Sequence, residues 1–246
     1  KKLGMVFTQA LYRGNYSPDV KERKMMKVGL LGAGRIAGVH AMSVTRNPHS
    51  SLVAVSDFIP ENAEKLASQY GCRARNTDEI IADPNIDAVL IATSTDTHSE
   101  LIEQSVAAGK AVFCEKPVDL SLERARLCYS NIKAASLPTM IGFNRRFDPN
   151  FKALKSALDA GEVGKAELLS ITSFDPAPPP LTYIKVSGGL FKDMMIHDFD
   201  MVNFLFGGLP KSIMVSASSV IDKKISELGD YDTAVATLKY ADGRLV

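Results

Sequence analysis

Met26-Lys-Val-Gly-Leu-Leu31-Gly32-Ala-Gly34-Arg35-Ile36-Ala37 is the stretch on which the fold turns. Residues 26–31 are a short apolar run with strand character, and residues 35–46 carry a helical pattern that Pro48 stops. Between them lies G-x-G-x-x-A. In such a strand–turn–helix, Gly32 permits the tight turn, Gly34 lets the backbone approach a pyrophosphate, and Ala37 is small enough for helix to pack on strand. The helix start adds free N–H groups and the positive end of its dipole, with Arg35 and Ile36 in the first turn. Asp57 ends the next apolar run, 25 positions after Gly32, where a carboxylate accepts hydrogen bonds from ribose hydroxyls. Phe58, Ile59 and Pro60 follow, with no Arg or Ser to hold a 2′-phosphate, so the pattern favours NAD over NADP. Arg35 keeps NADP open.

Working outward, apolar runs alternate with helical patterns. Strands are expected at 52–56, 72–75, 86–92, 111–114 and 139–143, and helices at 61–70, 77–82, 99–108 and 121–135. Thr97-x-x-Glu100 reads as a capping box for the helix from Ser99, and Gly109 as its stop. This rhythm predicts an α/β fold with a Rossmann parallel sheet covered on both faces. After 143 it changes. Helices are expected at 150–160 and 196–206, and longer strands at 165–174, 211–222 and 232–240, with a rigid proline run from Pro176 to Pro180. These predict an α+β domain with an open, mainly antiparallel sheet. The domain reading is therefore 25–143 for NAD binding and 144–246 for a second, α+β domain. Residues 1–24, polar and aperiodic, read as a disordered or artefactual leader. Ala241-Asp-Gly-Arg244 is a hairpin turn signal with a strand beginning at Leu245, so the second domain is expected to be incomplete.

Composition bounds the function. The chain has 246 residues, 46% of them hydrophobic, with 29 basic and 28 acidic side chains and a net charge of +1. That balance argues against nucleic acid binding by bulk charge. Apolar stretches fall far short of the roughly 20 residues that span a bilayer, so no membrane partner is expected. Cys72, Cys114 and Cys128 are odd in number and form no C-x-x-C pair, which suits a reducing, cytoplasmic location.

Two clusters carry the chemistry. Glu115-Lys116-Pro117 ends the fifth expected strand, at the sheet edge where such folds bind ligands. A lysine there can hydrogen-bond a substrate hydroxyl and stabilise a developing alkoxide; on its own it also reads as a surface lysine before a loop. Asp193 and His197 are i, i+4, so on one helical turn they share a face. An Asp that orients a His and stabilises its charged form makes a general base; the spacing alone equally suits a helix-start Asp and a packed His. No Cys/His spacing completes a metal set, and no metal is expected.

Taken in order, the glycine turn, Ala92-Thr-Ser-Thr-Asp-Thr-His98, Ala108-Gly-Lys-Ala-Val-Phe-Cys-Glu-Lys-Pro117, Asn144-Arg-Arg-Phe-Asp148 and Gly188-Gly-Leu-Phe-Lys-Asp-Met-Met-Ile-His-Asp-Phe-Asp200 resemble the Gfo/Idh/MocA oxidoreductases, most of all the inositol 2-dehydrogenases. The resemblance covers residues 26–246. It implies that Lys116, Asp193 and His197 are catalytic. It implies that Thr93, Ser94, Thr95, His98 and Glu115 line the nicotinamide half of the cofactor site, and that Arg145 and Asp175 lie near the cofactor end and the polyol. It further implies NAD-dependent oxidation of a secondary hydroxyl of a cyclic polyol such as myo-inositol, and a homo-oligomer, dimer or tetramer. The same chemistry on another sugar or inositol isomer, and a non-catalytic NAD-binding regulator, are the competing expectations. Many relatives carry Pro where Ser94 stands.

Overall fold

A computed structural model describes residues 25–246; the expected leader, residues 1–24, lies outside the described residues. The chain divides into two compact units, the first ending at Gly142 and the second beginning at Phe143.

The first unit alternates strand and helix. Its strands are β1 (Met26–Leu31), β2 (Ser50–Ser56), β3 (Arg73–Ala74), β4 (Ala88–Ile91), β5 (Ala111–Cys114) and β6 (Thr139–Ile141). Its helices are α1 (Arg35–Arg46), α2 (Pro60–Tyr70), α3 (Thr77–Ala82), α4 (His98–Ala107) and α5 (Leu122–Ala135). All strand pairs are parallel, in the order β3-β2-β1-β4-β5-β6. That order reverses beside β1, which opens a crevice at the carboxyl ends of β1 and β4.

The two-residue period of a strand explains the layers. In β4, Leu90 joins Val28, Leu30, Ala37, Ala41 and Val44 on one face, while Val89 and Ile91 join Ile80, Ile102, Val112 and Cys128 on the other. Both faces are covered, so these strands read as unbroken apolar runs. Gly29 lets α3 pack close: a Cβ there would stand 2.3 Å from Ile80 Cγ2. Between α4 and α5, Arg124 forks onto Glu103 with hydrogen bonds of 2.7 and 2.6 Å.

The capping box does not form. Thr97 ends a 3-10 turn, Thr95–Thr97, in helical rather than extended backbone. Its hydroxyl donates to the Ser94 carbonyl at 2.8 Å and lies 2.7 Å from the Thr93 hydroxyl, so it serves the loop instead of the helix.

The second unit holds α6 (Pro149–Asp159), α7 (Leu181–Ser187), α8 (Met195–Phe206), β7 (Ser212–Ser218), α9 (Lys223–Glu227) and β8 (Thr233–Lys239). Asp148 caps α6 by accepting from the N–H groups of Asn150 and Phe151. β7 and β8 pair antiparallel, Ser212 opposite Lys239 and Ser218 opposite Thr233. Val202 of α8 packs with Leu238 and Tyr240, and Leu169, Ile171 and Phe206 join them.

The strand expected at 165–174 is not one. Leu169 and Ile171 do face the core, but the segment's ladder bonds reduce to a single parallel bridge, Leu168 to Leu245. Alternation signalled a buried face, and backbone partners decide a strand. The turn at 241–244 forms as expected, with Tyr240 N–H donating to the Arg244 carbonyl at 2.9 Å and Val246 pairing back onto Leu238. The short helices α7 and α9 were not foreseen; each is under two turns, too short for a periodic signal.

Candidate active site

The glycine turn sits at the carboxyl end of β1. Gly32 has φ +96°, and a Cβ on it would stand 2.4 Å from the Ala92 carbonyl oxygen, so a side chain is barred twice over. Gly34 is different. Its φ is −74°, ordinary for any residue, and a Cβ would meet nothing within 4 Å. The space beside Gly34 lies in front of α1, whose first turn has no side-chain cap and no acidic residue. Arg35 and Ile36 are exposed there. A backbone cradle with its N–H groups directed at open space suits a pyrophosphate.

Asp57 follows β2. One carboxylate oxygen accepts from Ala33 N–H at 2.6 Å and the other from Ile59 N–H at 2.9 Å. The carboxylate is thereby anchored to the glycine turn itself. Each oxygen keeps a lone pair for a ribose hydroxyl. These residues fit a dinucleotide.

Thr93, Ser94 and Thr95 form the loop after β4, and Glu115 and Lys116 follow β5. The Lys116–Pro117 peptide is cis. Glu115 Oε1 lies 2.7 Å from His40 Nε2 of α1, and its other oxygen accepts from the Lys116 N–H at 3.3 Å. Gly142 makes room for this carboxylate, since a Cβ there would stand 3.1 Å from Glu115 Oε2. His98 is only 1% exposed. Its Nδ1 donates to the Pro117 carbonyl at 2.7 Å, and its Nε2 lies 3.2 Å from the Thr93 carbonyl. The ring thus lies behind the loops, with both nitrogens turned to backbone carbonyls, rather than as a direct cofactor ligand. His40 was missed by sequence reasoning because it sits on the apolar face of α1, among Ala37, Ala41 and Val44, where a helical pattern registers only core.

In the second unit, Asp193 lies in a π-helical turn, Leu190–Met194, and His197 in the first turn of α8. The two do not belong to one regular α-turn, as their spacing suggested, because the wider turn inserts a π register before α8. That turn is held at its start: Asp230 accepts the Leu190 N–H with both oxygens at 3.1 Å. Gly189 has φ +72°, and a Cβ on it would lie 2.3 Å from Asp230 Oδ1. Asp193 accepts a hydrogen bond of 3.1 Å from the Tyr183 hydroxyl. The His197 ring stands edge-on to Phe143, 6.5 Å between centroids.

Arg145 donates to Asp198 at 2.5 Å and to Ser173 at 3.2 Å, while Ser173 donates to Asp198 at 2.7 Å. Arg146 forks onto Asp200 at 2.8 and 2.6 Å. Both arginines thus tie the turn after Phe143 to the helix that bears His197. Asp175 is exposed, just before the proline run. Among the described residues no group of three or more His, Cys, Asp or Glu side chains could hold a metal ion, and no helix is long and apolar enough to cross a membrane.

A parallel sheet in this order, with a glycine cradle and an anchored carboxylate at its switch point, defines a dinucleotide-binding protein. Residues 26–143 match the model described as "Oxidoreductase family, NAD-binding Rossmann fold", and residues 151–246 match the GFO/IDH/MocA C-terminal domain. The chain belongs to the Gfo/Idh/MocA oxidoreductase family, and its first unit is the family's NAD-binding domain. It is 51% identical over 219 residues to inositol 2-dehydrogenase of Rhizobium meliloti, aligning 89% of this chain with 66% of the relative. It is 44% identical over 222 residues to myo-inositol 2-dehydrogenase of Thermotoga maritima, again 89% of this chain and 66% of the relative. The crystal structure of scyllo-inositol dehydrogenase from Lactobacillus casei with bound NAD(H) and scyllo-inositol is similar at TM-score 0.83 and 28% identity, covering 90% of this chain and 68% of that one. The chain therefore spans about two thirds of the length of these relatives.

Proposed function

We propose that the protein oxidises a secondary hydroxyl of a cyclic polyol with NAD, and that the substrate is myo-inositol, oxidised at C2 to the 2-keto product. The observation that carries the reading is Lys116 at the carboxyl end of β5, in the same unit as the glycine cradle, in a chain whose relatives at 51% and 44% identity are named inositol dehydrogenases. Bound NAD supplies the hydride acceptor. His197 takes the hydroxyl proton, and Asp193 orients the imidazole and stabilises its charge. The Lys116 ammonium donates to the same hydroxyl oxygen and lowers the cost of alkoxide character. Thr93, Ser94 and Thr95 border the nicotinamide half, while Gly32, Gly34, Arg35 and Ile36 hold the pyrophosphate and Asp57 the ribose. Arg145 and Asp175 contact the polyol. The alcohol loses a hydride and a proton, and the products are ketone, NADH and one proton.

The protein acts in the cytoplasm, where Cys114 and Cys128, both buried and unbridged, stay reduced. It works as a homo-oligomer, and the exposed apolar side chains Met214 and Val235 on the outer face of the β7–β8 pair support that assignment. Light scattering on the eluting protein checks it; a monomer would refute it.

The test of function is NADH formation from myo-inositol. Lys116→Ala and His197→Ala are expected to lower kcat by about 10²–10⁴-fold, the usual range for a lost acid–base group, with NAD affinity kept. Wild-type turnover in both variants would refute the roles. A second reading, with scyllo-inositol as the substrate, is favoured by the ligand in the similar Lactobacillus casei structure. Comparing kcat/KM for the two isomers decides between them.

A further inference from the structure

We propose that His40 and His98 are positioning residues that fix the backbone of Lys116 from both sides and so aim its ammonium group. The inference rests on the role of Lys116 given above.

A lysine stem has four rotatable bonds, so an enzyme that uses its tip must first fix its root. Three bonds do that here. The Lys116 N–H donates to Glu115 Oε2 at 3.3 Å. The other oxygen of that carboxylate accepts from His40 Nε2 at 2.7 Å, which fixes the carboxylate to α1. On the far side, the Pro117 carbonyl accepts from His98 Nδ1 at 2.7 Å. A carbonyl only accepts, so Nδ1 carries a proton in this bond. The opposite edge of the same ring faces the Thr93 carbonyl at 3.2 Å, so one side chain joins the turn after β5 to the loop after β4.

The burial of both rings makes a surface role untenable. His40 is 5% and His98 1% exposed, in helices whose inward positions include Ala37, Ala41 and Val44 in α1 and Ile102 and Val106 in α4. Burying an imidazole in such a face is costly unless its polar atoms are satisfied, and an apolar side chain would pack there at no such cost. Each ring gives its shortest hydrogen bond to one three-residue turn, Glu115 to Pro117. His40 also meets Phe113 of β5 edge-on, 5.1 Å between centroids, which sets the ring plane that presents Nε2 to Glu115. The geometry of catalysis is sensitive to this: a displacement of about 1 Å can cost roughly 10²-fold in rate.

Amide side chains separate positioning from packing. The amide of Asn reaches where the Nδ1 of His lies, and that of Gln reaches where Nε2 lies. His98→Asn can therefore keep the Pro117 bond, and His98→Gln cannot. His40→Gln can keep the Glu115 bond, and His40→Asn cannot. The readouts are kcat and KM on myo-inositol, NADH affinity, thermal stability, and the NMR resonance of Lys116 after reductive methylation with labelled formaldehyde, assigned with Lys116→Arg. His98→Gln and His40→Asn are expected to lose about 10- to 100-fold in kcat, with KM and NADH affinity little changed, and to move the Lys116 resonance. His98→Asn and His40→Gln are expected to recover most of both. The proposal is overturned if the first pair keeps the wild-type resonance. It is equally overturned if all four variants lose activity only in step with their melting temperatures. If the wild type turns over no polyol while His98→Gln and His40→Asn still shift Lys116, the positioning stands and the substrate assignment falls.

Discussion

Gly32 and Gly34 stand two residues apart and respond differently to an added methyl group. Gly32→Ala forces a side chain into φ +96° and against the Ala92 carbonyl at 2.4 Å. The left-handed backbone alone costs about 1–2 kcal/mol. A lowered melting temperature without ligand is expected, measured by thermal unfolding. Gly34→Ala meets nothing within 4 Å, so the melting temperature should hold while NAD affinity falls, because the methyl occupies phosphate space. Equal effects of the two on the ligand-free protein would contradict the cradle. Asp57→Ser should narrow the preference for NAD over NADP, since it removes the carboxylate that repels a 2′-phosphate; the ratio of the two affinities measures it. The thiols give another check. Burial raises Cys114 well above the ordinary thiol range and Cys128 to about 11, so both should resist thiol reagents at neutral pH until the protein unfolds. At this scale the sequence named Gly32, Gly34 and Asp57 through local spacing. It did not name His40, whose partner Glu115 is 75 residues away.

Helices and strands supply the next set of consequences. Arg75 after β3 donates to Asp83 after α3 at 2.6 Å, and this hydrogen bond holds the Asp83 carboxyl down at about 2. A depressed folded-state value means the contribution is present above the unfolded carboxylate value of about 4 and is lost as pH falls from about 4 through about 2. Asp83→Asn should lower the stability of the first unit at neutral pH, flatten its loss between about pH 4 and about pH 2, and match the wild type below that window, as acid unfolding curves would show. Arg124 keeps Glu103 ionised by the same means, joining α4 to α5. Elements with a strong period were legible: β1, α1, β2 and α2 lie where apolar spacing put them. The failures have one origin. Thr97 spends its hydroxyl on Ser94 and Thr93, the 165–174 segment finds only Leu245 as a backbone partner, and Asp193 enters a π turn held by Asp230, 37 residues later. Each depends on a partner that local pattern does not contain.

Across the whole molecule, two units with separate cores predict two responses to ligand. Anything that binds only the folded first unit stabilises it by mass action, about 2.7 kcal/mol at a hundredfold excess over Kd. Calorimetry with NAD should therefore raise the transition that reports the first unit, and Gly34→Ala should blunt that rise. A transition unmoved by NAD at any concentration would contradict cofactor binding. The second unit has its own tie lines: Arg146 forks onto Asp200, whose side chain is 8% exposed. Asp200→Asn should lower thermal stability by about 1–3 kcal/mol, the cost of leaving a hydrogen-bonded charge without its partner.

By itself the sequence determined the Rossmann sheet, its glycine turn, the acidic residue that follows β2 and the Glu-Lys-Pro turn, because each is written in a few adjacent residues or in a repeating period. The tertiary structure alone decided which way the Glu115 carboxylate and the His98 ring turn, and that a π turn leads into the His197 helix. Those outcomes rest on contacts between residues far apart in the chain, and such contacts exist only once the sheet and helices have brought them together.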